Sequence, residues 1–103
     1  MDPLDLAFDE IAAAMIAAAG LRKIDQAQAA AERHGLKQQG TGTPSQITDW
    51  QRSDATRSLR FRWRWYDPSQ AFSIQPDINI LTIELREGDQ IIRQSEQRYE
   101  DPL

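Results

Sequence analysis

Between Leu59 and Trp65 the chain reads Leu-Arg-Phe-Arg-Trp-Arg-Trp, with large apolar and cationic side chains in strict alternation. A period of two is that of a β-strand, in which successive side chains point to opposite faces of a sheet. The pattern therefore demands a sheet with one apolar face, and it demands something to cover that face. Phe61, Trp63 and Trp65 are expected to face the cover and to be largely buried, while Arg60, Arg62, Arg64 and Tyr66 form one row on the other side.

The cover is expected from the N-terminus. Asp2-Pro3-Leu4-Asp5 combines an aspartate cap, a proline at the first helical position and a second acid at the positive end of the helix dipole. A helix over about 3–19 follows, with Leu4, Phe8, Ile11, Met15 and Ala18 at steps of three and four along one stripe. Gly20 is placed to end it. Asp25 is placed to cap a second, thinner helix over about 26–34, closed by Gly35, with Ile24, Ala27, Ala30, Ala31 and His34 along one side.

From 37 to 45 the residues are those of a connecting loop, and after them the helical period gives way to alternation. Strands are expected at about 47–52, 57–66, 71–75, 78–86 and 90–99, with a turn at Ser53-Asp54-Ala55-Thr56 and a hairpin at Glu87-Gly88-Asp89. The strand over 78–86 sets Leu81, Ile83 and Leu85 against Ile80, Thr82, Glu84 and Arg86. Beyond Ile92 the final strand is polar on both faces, as befits a sheet edge. The fold class expected is α+β: one domain over 1–103, an N-terminal helical hairpin packed on one face of a four- to five-stranded antiparallel sheet.

Composition supports an ordinary folded chain, with 40% hydrophobic and 27% charged residues among 103. Cysteine is absent, so no disulfide or thiolate metal site contributes and packing alone must hold the fold. The apolar run from Ile11 to Gly20 is about half the length a bilayer crossing needs, and acids rather than basic residues precede it. No membrane is expected, and a cytoplasmic location is. Valine is absent as well, and nothing physical explains it.

The net charge of -4 hides a segregation. Asp2, Asp5, Asp9 and Glu10 make the start acidic, Arg52, Arg57, Arg60, Arg62 and Arg64 crowd the middle, and the stretch after Asp67 is acidic again. Internal pairing is the commonest outcome of such a layout. For the arginine row, Glu84 and the C-terminal acids are the expected partners across the strands.

No catalytic motif is present and no cofactor or metal is implied. His34 has no paired histidine or HExxH motif beside it, and its expected role is to favour a helix C-terminus. The glycines at 35, 40 and 42 lack the lysine and the strand-to-helix setting of a phosphate loop. Trp50, beside Gln51 and Arg52 near a strand end, is a candidate exposed anchor, because Trp and Arg are enriched at binding hot spots. The reading that results is a non-enzymatic protein-binding module, a small regulator, inhibitor or assembly factor, engaging another protein through Trp50, Arg60, Arg62, Arg64 and Tyr66. Two alternatives stand beside it: a single-stranded nucleic-acid binder using the Arg60, Arg62 and Arg64 row, and an enzyme with an unrecognised site. A homodimer through an edge strand is compatible with the final strand.

Overall fold

The computed structural model describes residues 2–21, 24–39, 47–66 and 78–100. Helices α1 (Pro3–Leu21) and α2 (Ile24–Arg33) come first, followed by strands β1 (Lys37–Gln39), β2 (Ile47–Asp54), β3 (Arg57–Tyr66), β4 (Ile78–Glu87) and β5 (Gln90–Glu100). Every neighbouring pair of strands is antiparallel, and the sheet order β1-β2-β3-β4-β5 is a meander. α1 lies across β3, β4 and β5, and α2 packs on α1. The class is α+β, a pair of helices against one face of a five-stranded sheet.

α1 begins as its sequence dictates, with the Leu4 backbone N–H donating to Asp2 Oδ1 at 2.9 Å. Its stripe of Leu4, Phe8, Ile11, Met15 and Ala18 is buried, and Ala7 joins it. Gly20 does not end the helix, which runs to Leu21. One interior glycine costs only about 1 kcal/mol against the alanines that precede it. α2 starts at Ile24, so Asp25 sits inside the first turn and not at the cap. Its end is the expected one. Gly35, at φ +83°, lets its own N–H reach the Glu32 carbonyl and the Leu36 N–H reach the Ala31 carbonyl, both at 3.0 Å. That closure turns Leu36 into the core.

The sheet departs from expectation at its edges. Lys37–Gln39, read as the start of a loop, is an edge strand paired with β2. Its side chains are all exposed, so only backbone hydrogen bonds reveal it. The strand expected at 71–75 lies outside the described residues. β2 extends to Asp54, which leaves Ala55-Thr56 as a two-residue turn, with Ala55 at φ +55°.

The apolar face carries Leu59 and Phe61 from β3 and Leu81, Ile83 and Leu85 from β4, all buried beneath α1. Trp63 and Trp65 face the same side but are only half-buried, contrary to expectation. Cover thins toward that end of β3, so these rings form a rim. Trp63 uses its polar edge there, donating from Nε1 to Asn79 Oδ1 at 3.0 Å.

Candidate functional site

On the face that none of the described helices covers, strand register decides what each arginine meets. Arg60 lies between Gln51 of β2 and Glu84 of β4, Arg62 between Asp49 and Thr82, and Arg64 between Ile47 and Ile80. Three equivalent residues in one row thus acquire three different surroundings.

Arg62 makes a two-pronged contact with Asp49, Nε to Oδ1 at 2.7 Å and Nη2 to Oδ2 at 3.0 Å. That hydrogen bonding outweighs partial burial and holds the guanidinium above its ordinary, already high pKa. Arg60 donates from Nη2 to Glu84 Oε1 at 3.3 Å, and Arg86 donates from Nε to the same oxygen. Glu84 is 5% exposed although its face has no helix over it, because the stems of its arginine neighbours cover it. Arg64 is exposed and has no ion pair among the described residues. Its neighbour Ile47 is 47% exposed and Ile80 is partly so. A shallow depression of about 230 Å³ lies between the arginine row and Thr82, Gln94 and Glu96.

The candidate residues are therefore only partly brought together. Arg60, Arg62 and Arg64 share the face as expected. Trp50 does not: it is 2% exposed, points to the helix side, and its ring centroid lies 5.2 Å from that of Phe61. An apolar ring opposite Phe61 in register belongs to the core, so the expected surface anchor is a packing residue. Tyr66 ends β3 opposite Ile78, and its side chain lies outside the described residues.

Asp49, Ile47 and Ile80 were missed, and the hairpin explains why. A four-residue turn at 53–56 would set Asp49 opposite Arg60, whereas the two-residue turn moves it opposite Arg62. Both registers keep the same faces, so alternation alone cannot choose between them.

Several other charges pair internally. Arg57 reaches Asp2 at 2.8 Å and Asp5 at 3.4 Å, and Arg93 reaches Asp5 at 3.3 Å and Asp9 at 2.6 Å. Arg93 also lies 4.1 Å over the Phe8 ring. The acids at the helix start are thus clamped by strand arginines and are not bare dipole stabilisers. His34 Nε2 contacts Glu10 Oε2, while the His34 carbonyl accepts from Arg52 Nη1 at 2.7 Å. Among the described residues no cluster of three or more His, Asp and Glu side chains is arranged to hold a metal ion, and no helix is long and apolar enough to cross a membrane.

No protein-family model, no curated protein and no solved structure matches the chain.

Proposed function

We propose that this chain is a non-enzymatic protein-binding module, a small regulator, inhibitor or assembly factor, and that it engages another protein through the uncovered sheet face around Arg64. The observation that carries the reading is the unequal allocation of charge along the row. A phosphate track needs several cations free at once, and here Arg60 and Arg62 already hold carboxylates of their own chain. What remains is one guanidinium between two isoleucines, at the end of the row away from Glu84. Arginine set in an apolar surround is the chemistry of a protein contact, where the cation satisfies a carboxylate or carbonyl while the isoleucines exclude water.

The test compares the wild type with Arg64→Glu and with Ile47→Glu in affinity capture, with and without nuclease. A specific protein retained after nuclease and lost in both variants is the expected result. Parallel titration with single-stranded DNA and RNA is expected to give no binding tighter than about 10 μM at moderate salt, since a row with one arginine outside the ion pairs of the described residues contributes a log-log salt slope of only about -0.7. Micromolar binding that disappears when Arg60, Arg62 and Arg64 are all changed to glutamine would replace this reading with the nucleic-acid one.

A further inference from the structure

We propose that two copies of this chain pair antiparallel through the outer edges of β5, about a two-fold axis at Gln97, to form one continuous sheet. β5 is the terminal strand of the meander and runs for 11 residues, so its outer N–H and C=O groups have no strand partner among the described elements. The opposite edge, β1, has only 3 residues. A long edge is a template for another strand, and its side chains decide which one.

Two-fold pairing in one sheet sets each residue opposite one of the same face, which leaves few registers to compare. With the axis at Gln97, Glu96 of each copy stands opposite Arg98 of the other, Gln94 opposite Glu100, and Ser95 opposite Tyr99. Two opposite-charge pairs form and no like charges meet. With the axis at Glu96, that carboxylate faces its own copy; with the axis at Arg98, arginine faces arginine and Glu96 faces Glu100. An axis at Ser95 sets Arg98 opposite Ile92 and forms no ion pair, and an axis at Tyr99 sets Arg98 opposite Glu100 but pairs only residues 98–100 of the strand, against 94–100 for the axis at Gln97. Charge together with the length of strand paired therefore selects one partner in one register.

Both side chains are available for this. Glu96 is exposed, and Arg98 has only a loose 3.6 Å contact with Glu100, both partners more than half in water. A second, independent observation lies on α1. Asp5 and Asp9 hold Arg93, so their side of the helix faces β5, and helical spacing continues that side through Ala12 and Ile16. Ile16 is 58% exposed, the most exposed large apolar side chain among the described residues. An exposed apolar side chain thus lies on the flank of α1 turned toward the β5 edge, where a second copy would cover it.

This pairing does not depend on the partner proposed for the sheet face. Sedimentation equilibrium of the full chain, over a wide concentration range up to about 0.5 mM, tests it. The wild type is expected to dimerise, and Arg98→Glu and Glu96→Arg, each placing two like-charge pairs across the axis, are expected to weaken the dimer about tenfold or more. The double variant Glu96→Arg with Arg98→Glu swaps the charges and is expected to recover wild-type dimerisation to within about threefold. Circular dichroism checks that each variant is folded. A wild type that stays monomeric, single variants that dimerise unchanged, or a swap that fails to recover would each overturn the proposal.

Discussion

At the scale of single residues, Glu84 carries the most electrostatic consequence. It is the only charged side chain buried among the described residues, and two guanidinium groups share one of its oxygens. Removing it would leave Arg60 and Arg86 facing each other across a strand pair with nothing between them. Glu84→Ala is therefore expected to cost about 2 kcal/mol in urea denaturation, below the full cost of breaking a buried pair because both arginines are partly in water. A loss under about 0.5 kcal/mol, the range of ordinary surface positions, would show that Arg60 and Arg86 find other acceptors. Trp50 shows the converse economy. Its indole N–H is buried with no acceptor among the described residues, so the ring is kept for its packing against Phe61.

Individual elements start and stop on backbone conformation more than on side-chain contact, and two positions test this with opposite signs. Gly35 closes α2 at φ +83°, and a methyl group there would meet only Arg52 at 3.6 Å or beyond, an ordinary contact. Gly35→Ala should thus cost about 1 kcal/mol from conformation alone. Ala55 occupies the same left-handed region, at φ +55°, in the β2 to β3 turn. There the strain is already present, so Ala55→Gly should stabilise by about 0.5 kcal/mol, the relieved strain less the extra freedom glycine adds to the unfolded chain. Thermal melts of the two variants should move in opposite directions, and movement in the same direction would contradict the turn assignment.

For the molecule as a whole, apolar burial and charge pairing fasten the same two layers. The stripe of α1 sits on Phe61, Leu81, Ile83 and Leu85, while Arg57 and Arg93 reach up from β3 and β5 to the acids of the helix start. The apolar part dominates, since exposed ion pairs contribute little each. Phe61→Ala is expected to cost about 3 to 5 kcal/mol. Trp63→Ala, at the half-buried rim, should cost clearly less. Equal losses on chemical denaturation would mean that the rim tryptophan is as essential to the core as the central ring.

What the sequence by itself determined depends on neighbours along the chain: the Asp2 cap, the α1 stripe, the Gly35 closure and the alternation of β3 and β4, though not the helix boundaries at Gly20 and Asp25. Local period and local backbone preference act within a few residues, and these parts of the fold were legible for that reason. Glu84 was expected across the strands from the arginine row and Arg60 finds it, but tertiary structure alone gave Asp49 to Arg62, because strand register depends on two residues of turn that leave the facing pattern unchanged. It also decided that Trp50 turns inward, that Lys37–Gln39 joins the sheet through backbone groups no side chain advertises, and that cover fails at Trp63 and Trp65. The candidate site was legible as a face and illegible as a site, since sharing a face follows from parity, whereas pairing or freedom follows from register.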